Sequence, residues 1–364
     1  MNILHIANIN DNQFNGVNRA VPAYINSQSQ FANIAFYNFN KTNLDVERSI
    51  TKLDKDYYPA CNINDFPAPF NHPDLVIFHD VFSCVKFNRV AKQLCRKNIP
   101  FIIIPHGSFT AHALNIKSIK KKVAIKTIFS TLICKSKAIQ YLSENEKDYS
   151  DFKNNSIVLS NGTDIPKEHK KKFLPNKGVS FVFIGRKDLY HKGIDLLIEA
   201  CRIALPEILE KKAVVKIYGP DKNGSSDKIS EMIFKNRLDR AVLNLEGVYY
   251  EEKANILKAS DVFVLTSRFE GQPLSILEAW AFGLPTLVTP GTGMAKETSK
   301  NSCGWVADSD PKSIADCMCH IMENGKEITE FSKNAFCYVK KTYPWEKVSK
   351  KTIETYEELV GISK

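Results

Sequence analysis

Two glutamates, Glu270 and Glu278, flank a Gly271-Gln272-Pro273 turn in the stretch SRFEGQPLSILEAWAFGLPTLVTP, residues 267–290. Carboxylates at this spacing are acceptors suited to polyols, one for a ribose diol and one for a hexose hydroxyl. The turn ahead of Leu274 presents backbone N–H groups at a helix N-terminus, which is a ready anion site. A phosphate held between two sugars fits that layout. A plainer reading makes Glu270 a solvated loop residue and Glu278 a surface helix residue. Glu278, however, falls inside the apolar run Leu274, Ile276, Leu277, Ala279, Trp280, Ala281 and Phe282. A carboxylate left alone in such a run is costly, so this one needs a partner.

The elements that position these residues follow from hydrophobic pattern. Asp261-Val-Phe-Val-Leu-Thr-Ser267 is continuously apolar and β-branched or aromatic, the mark of a buried parallel strand. A turn, a helix and a second strand at 285–289 complete a βαβ unit, and open α/β sheets bind ligands at the carboxyl ends of their strands. The same rhythm predicts strands at 2–7, 32–38, 75–79, 100–104, 138–142 and 156–159 in the first half. In the second half it predicts strands at 179–184, 213–218, 241–245, 261–265 and 285–289. Helices are expected at 193–204, 225–237, 251–259, 274–283, 311–323, 327–341 and 345–360, the last after a break at Tyr343-Pro344. A linker runs from Asn161 through Pro166 to Gly178.

Composition suits a globular intracellular enzyme. The chain has 364 residues, enough for two domains, with 43% hydrophobic and 25% charged residues. Nine cysteines occur without a paired CxxC spacing, and an odd count argues against a disulfide framework; all nine are expected as reduced thiols, mostly in the core. The first strand lacks the basic flank and apolar length of a signal peptide. No apolar run reaches the length of a membrane span.

The net charge of +10 is clustered. Lys117, Lys120, Lys121, Lys122 and Lys126 interleave with Ile116, Ile119, Val123, Ile125, Ile128, Phe129 and Leu132, followed by Lys135 and Lys137. At helical spacing this gives an apolar stripe beside a cationic face, the pattern of an interfacial helix; a solvated face is the competing reading. Lys167, Lys170, Lys171 and Lys172 form a second run. No RNP aromatic motif or zinc-finger spacing is present, so nucleic acid is not expected as a partner. Asp308-Ser309-Asp310 has the look of a metal-binding DxD. Asp310 before Pro311 instead reads as a helix N-cap with Pro at N1. Gly291-Thr-Gly293 lacks the third glycine of a dinucleotide fingerprint, which argues against a nicotinamide enzyme. No P-loop is present.

The stretch around Glu270 and Glu278 resembles the E-x7-E region of the retaining glycosyltransferases of the GT-B fold, in the large GT4 family. Four further places match in order. Phe181-Val-Phe-Ile-Gly-Arg186 leading to Lys192-Gly193 resembles the family's GR…KG element. Ser160-Asn-Gly-Thr-Asp164 resembles its NGxD hinge, Pro105-His106-Gly107 its HG, and Asn15-Gly16-Val-Asn-Arg19 a worn GGxxR loop. The resemblance covers nearly the whole chain.

What it implies is specific. The fold would be α/β, GT-B, with two Rossmann-like doubly wound domains facing a central cleft. Residues 1–165 would form the acceptor-side domain and 176–342 the donor domain, with 343–364 crossing back to the first. Arg186 and Lys192 match the cations that face the diphosphate and neutralise charge on the departing nucleotide. Glu278 would take the ribose hydroxyls and Glu270 the transferred sugar, with Gly271, Gln272, Pro273 and Leu274 lining the donor site. Pro273 has no N–H to give. Gln272 stands where many relatives carry an apolar residue, which bears on sugar preference. His106 would act at the reacting centre, Gly16 would lie under the phosphates, and Arg19 would begin the next helix. His79-Asp80 ends a strand and is a candidate for touching acceptor.

The activity implied is transfer of a hexose, with retention and without metal or cofactor, from a UDP-linked donor to a glycan hydroxyl in bacterial surface polysaccharide synthesis. The expected partners are the nucleotide sugar, a glycan acceptor of lipid-linked type and an anionic membrane surface. The expected place is the cytoplasm, peripheral to the inner face of the cell membrane. A non-catalytic sugar-nucleotide-binding subunit, or an epimerase or phosphorylase on the same fold, is the alternative. Retention of every cationic and acidic donor residue favours the enzyme.

Overall fold

The protein is described by a computed structural model covering residues 1–12, 15–41, 46–110, 113–114, 123–152, 155–169 and 178–362. The chain forms two compact units. Unit 1 comprises Met1–Gly162 and Trp345–Lys364; unit 2 comprises Thr163–Pro344.

Unit 1 is built on seven strands: β1 Asn2–Ala7, β2 Asn33–Asn38, β3 Thr51–Leu53, β4 Leu75–His79, β5 Phe101–Ile104, β6 Ala138–Tyr141 and β7 Ser156–Val158. Their order is β3-β2-β1-β4-β5-β6-β7, and every pairing is parallel. Residues alternate between the two faces of a strand, so the continuous apolar runs feed two cores. Leu4, Ile6, Val76, Phe78 and Ile103 pack on one face. Ile3, Ala7, Leu75, Ile77 and Ile102 pack on the other, with Tyr24 and Tyr356 from the helices Gly16–Gln28 and Trp345–Val360. The last helix is tied there by bonds from Tyr356 to the Tyr24 hydroxyl at 3.0 Å and from Ser349 to Ser27 at 2.6 Å. Gly162 lies against Trp345, where an added Cβ would come within 2.6 Å of the indole.

Unit 2 carries β8 Ser180–Ile184, β9 Val214–Tyr218, β10 Val242–Leu245, β11 Val262–Leu265, β12 Thr286–Val288 and β13 Gly304–Val306. Their order is β10-β9-β8-β11-β12-β13, again all parallel. The chain leaves the β8–β11 junction in opposite directions along the sheet, so this is the topological switch point where such sheets bind ligands.

The long strands and helices lie within a few residues of their expected positions. Two three-residue edge strands, β3 and β13, were not expected; a run that short carries no alternation to read. In β13 the extended Gly304 (φ +152°) crosses Thr286, whose carbonyl oxygen would sit 1.9 Å from any Cβ. Asp310 is the predicted N-cap: its carboxylate accepts from the backbone N–H of Lys312 and Ser313 at 3.0 Å each.

The lysine stripe is only partly visible. Ile116, Lys117, Ile119 and Lys120–Lys122 lie outside the described residues, as do Lys170–Lys172. Beyond them the stripe is not one helix: the chain turns at 127–129 before the helix Ser130–Cys134. Val123 and Ile128 are exposed, but Phe129 and Leu132 are core residues of unit 1 rather than part of an outward apolar face. The cysteines are all free; Cys61, Cys201 and Cys303 are buried, and the other six are half-buried or exposed rather than mostly core. No helix among the described residues is long and apolar enough to cross a membrane.

Candidate functional site

In unit 2 the loops leaving β8 and β11 carry the predicted residues. The first runs from Gly185 to Gly193 and feeds the helix Ile194–Ile203; the second runs from Thr266 to Pro273 and feeds the helix Leu274–Ala281. Close backbone packing joins them. Gly193 adopts φ +63°, and a Cβ there would lie 1.9 Å from the Thr266 carbonyl oxygen. Only glycine fits such a left-handed, crowded position.

A clamp reinforces this contact. Arg268 donates through both terminal nitrogens to the two oxygens of Asp195, at 2.7 Å each, and to the Tyr190 carbonyl at 2.6 Å. Its guanidinium stacks 4.3 Å from the Tyr190 ring centre. Bidentate Arg–carboxylate bonds fix orientation as well as distance.

The clamp aligns Lys192 with Glu270. Lys192 Nζ donates to Glu270 Oε1, and Ser267 Oγ donates to the same oxygen at 3.1 Å. His191 stacks on Phe269 at 4.1 Å, donates Nε2–H to its carbonyl at 2.7 Å and lies 3.7 Å from Glu270 Oε1. Burial alone would push the Glu270 carboxyl up, but the Lys192 and His191 charges outweigh it and hold the group below the usual carboxylate range. Glu270 is thus an ionised, oriented acceptor.

Arg186 follows β8, with its guanidinium 3.8 Å from Asp188 Oδ2. Its buried Nε has no hydrogen-bond partner among the described residues. Asp188 bonds to His191 and Lys222, and His191 foremost keeps its carboxyl far below the usual range. The chain Arg186, Asp188, His191, Glu270, Lys192 is therefore one charge network at the strand ends.

Glu278 sits on the second turn of its helix and has the partner its apolar setting demands: Lys253, from the helix Tyr250–Ala259, donates to Glu278 Oε2. Gly271, Gln272 and Pro273 are buried, and Leu274 opens the helix with Pro273 as its N-cap. Gly293 backs this turn; a Cβ on it would fall 1.8 Å from the Gly271 carbonyl oxygen. The Gly291-Thr-Gly293 segment is thus a packing element for the Gly271-Gln272-Pro273 turn.

Unit 1 holds His106 and Gly16. His106 adopts φ +51° and Gly107 φ +86°, which turns the loop sharply after β5. Buried Glu146 braces that turn by accepting from the Gly107 N–H at 2.5 Å and the Leu142 N–H at 2.7 Å. Burial raises the Glu146 carboxyl to about 7. His106 Nε2 lies 3.1 Å from His79 Nδ1, and His79 Nε2 lies 3.0 Å from His5 Nδ1. His79 is 1% exposed, so it is sealed inside the unit and cannot touch an acceptor. Gly16 is the first residue of the helix Gly16–Gln28, capped by Asn15, whose side chain accepts from the Val17 N–H at 3.1 Å. Arg19 lies inside the first turn rather than at its start. Among the described residues, a Cβ on Gly16 would meet nothing within 4 Å.

Several participants escaped the motif reading: Asp188, His191, Lys253 and Arg268 in unit 2, and His5, Gln28 and Glu146 in unit 1. His5 had a signal, a polar residue inside the apolar strand NILHIA, since buried polar groups need partners. The others are joined by contacts far apart in sequence.

Comparison with known proteins bears on the family and the fold. The family model "Glycosyl transferases group 1" matches residues 164–336. An uncharacterized glycosyltransferase of Methanocaldococcus jannaschii is 29% identical over 79% of this chain and 76% of its own length. The Escherichia coli UDP-Gal:alpha-D-GlcNAc-diphosphoundecaprenol alpha-1,3-galactosyltransferase is 31% identical over 55% of this chain, and the match spans 54% of that relative. Anabaena HepE, solved in complex with UDP and glucose, superposes with a TM-score of 0.72 at 14% identity, over 98% of this chain and all of that one. Residues 164–336 match the glycosyl transferases group 1 family, and the chain has the α/β GT-B fold.

Proposed function

We propose that this chain is a retaining, metal-independent hexosyltransferase. It takes a nucleotide-diphosphate sugar, UDP-linked, and passes the hexose to a hydroxyl of a lipid-linked glycan in surface polysaccharide assembly. The observation that carries the reading is the charge network at the β8–β11 junction. It offers two fixed cations, Arg186 and Lys192, beside an ionised acceptor, Glu270, at the place where a parallel sheet binds its ligand.

The roles follow from chemistry. Arg186 and Lys192 neutralise charge that grows on the diphosphate as the glycosidic bond breaks, so they act most strongly in the transition state. Glu270 accepts from hexose hydroxyls, and Glu278 accepts from the ribose. No protein carboxylate in the network is free of a fixed cation to serve as nucleophile. The resemblance to the retaining glycosyltransferases supports front-face attack assisted by the leaving phosphate. The relative that acts on a diphosphoundecaprenol-linked sugar supports a lipid-linked acceptor, and the lysine-rich stretch supports attraction to an anionic cytoplasmic membrane face.

A thermal-shift panel of nucleotides and nucleotide sugars tests the donor. A ligand at ~100 times its dissociation constant raises stability by about 2.7 kcal/mol. The matching sugar nucleotide should then give a product with the donor's anomeric configuration, in chelator as well as in Mg²⁺. Absence of any shift across the panel, or an inverted product, overturns the reading.

A further inference from the structure

Three histidines form an unbroken hydrogen-bonded line through the second core of unit 1. His5 stands on β1, His79 ends β4, and His106 follows β5, so β1 and β4, neighbours at the switch point of this sheet, supply the buried pair. His5 Nε2 meets Gln28 Oε1 at 3.1 Å; His5 Nδ1 meets His79 Nε2 at 3.0 Å; His79 Nδ1 meets His106 Nε2 at 3.1 Å. The His5 and His79 rings are stacked with centres 5.3 Å apart, the His79 and His106 rings are tilted by 31° with centres 5.4 Å apart, and the Tyr24 ring lies edge-on to the first two. His5 and Gln28 are wholly buried. His106 Nδ1 has no hydrogen-bond partner among the described residues.

A neutral imidazole carries one N–H and one lone pair. In a line of such rings, every N···N contact needs one donor, so a single choice at one end sets all the rest. Burial keeps His5 and His106 neutral, lowering them to about 3 and about 4. At the closed end the choice belongs to Gln28. Its carbonyl oxygen accepts from His5 Nε2–H, which leaves His5 Nδ1 to accept from His79 Nε2–H, and His79 Nδ1 to accept from His106 Nε2–H.

We propose that Gln28 is a positioning residue that fixes His106, through His5 and His79, as the Nε2–H tautomer, presenting Nδ1 as an acceptor for a ligand hydroxyl. This deepens the proposed function and rests on it only for the identity of the hydroxyl's owner. A His106 so fixed is an uncharged acceptor at Nδ1 and cannot donate a proton from that atom.

The test is a long-range ¹H–¹⁵N spectrum of the full chain labelled at histidine, with signals assigned by single His→Gln variants. In the wild type at pH 7, His5, His79 and His106 should each show a protonated Nε2 and an unprotonated Nδ1. In Gln28→Met, which keeps the shape and removes the acceptor, the His106 pattern should move toward a mixture of tautomers. Turnover should fall about 3- to 10-fold with nucleotide affinity unchanged. A wild-type His106 protonated at Nδ1, or at both nitrogens, overturns the proposal, and that spectrum decides even if Gln28→Met does not fold. A folded Gln28→Met with unchanged spectra overturns it as well. If the spectra are as expected but His106→Ala transfers at the wild-type rate, the histidine line stands and the role of His106 as acceptor of a ligand hydroxyl falls.

Discussion

Lys192 Nζ donates to Glu270 Oε1 across 78 positions of sequence, and each residue is the other's charge partner at the end of a different strand. Both side chains are about one-seventh exposed, at 15% and 14%. The pair holds the cation and the acceptor of the candidate donor site ready before any ligand arrives. Preorganised charge of this kind needs no reorganisation when the nucleotide leaves.

Removing one member should therefore strand the other. Glu270→Ala and Lys192→Ala are each expected to lower turnover by roughly 100- to 1,000-fold, the range for a lost charge-stabilising group. Because they share one interaction, the double variant should lose much less than the product of the two effects. Steady-state rates of the four proteins check this; simple multiplication of the losses would contradict it.

Glu278 belongs to a separate pair, with Lys253. Glu278→Ala should weaken binding of the free nucleotide by roughly 1.5–3 kcal/mol, the scale of a hydrogen bond to a charged group. Glu270→Ala should leave that affinity near the wild-type value. Calorimetric titration with the nucleotide alone separates them, and equal affinities in both variants would remove Glu278 from the ribose.

The Arg268–Asp195 fork is predicted to act at a distance from the ligand. Arg268→Lys keeps the charge but loses the bidentate geometry that ties the two loops. A misplacement of about 1 Å near reacting groups costs roughly 100-fold, so turnover should drop by about 10- to 100-fold while the melting temperature changes little. Wild-type turnover in Arg268→Lys would show that the loops hold without the fork.

Acid should act first on unit 1. His5, His79 and His106 titrate in the fold far below their ordinary value near 6.5. Groups with depressed folded values stabilise fully above the unfolded value and lose that contribution as pH falls. Glu146, raised to about 7, works oppositely: its contribution is full below about 4.5 and is lost as pH rises through 7. Between pH 6.5 and 4.5 three histidines oppose one glutamate. Each net proton is worth about 1.4 kcal/mol per pH unit, so stability should peak near pH 6.5–7 and fall steeply below it. Denaturant melts from pH 8 to pH 5 check the sign; flat stability down to pH 5 would contradict buried neutral histidines.

Membrane attachment is testable through the lysine stripe. About 1 kcal/mol per lysine near an anionic surface makes several of them enough for docking. Co-sedimentation with phosphatidylserine vesicles should appear at low salt, fade at high salt as screening shortens the field, and weaken in Lys120→Gln/Lys121→Gln/Lys122→Gln. Wild-type protein that ignores such vesicles at low salt would return the stripe to an ordinary solvated face.

The amino-acid sequence by itself determined the two parallel sheets and the location of the loops that carry the candidate donor site. Runs such as 75–78 and Val262–Leu265 are apolar at every position because both faces are covered, and that pattern is local. So was the helix cap at Asp310, which depends on atoms two and three residues away. The need of Glu278 for a partner was also legible, from the cost of burying a charge. Which partner it takes was not. Lys253 reaches it from another helix, Arg268 finds Asp195 across 73 positions, and His5 finds His79 across 74. Contacts of that span exist only after strand order brings the loop ends together. Strand order is decided by how crossover helices pack on the sheet, not by any short run of residues. The tertiary structure alone turned His79 from a candidate surface residue into the middle of a buried line, and removed Phe129 and Leu132 from the apolar stripe beside the lysines.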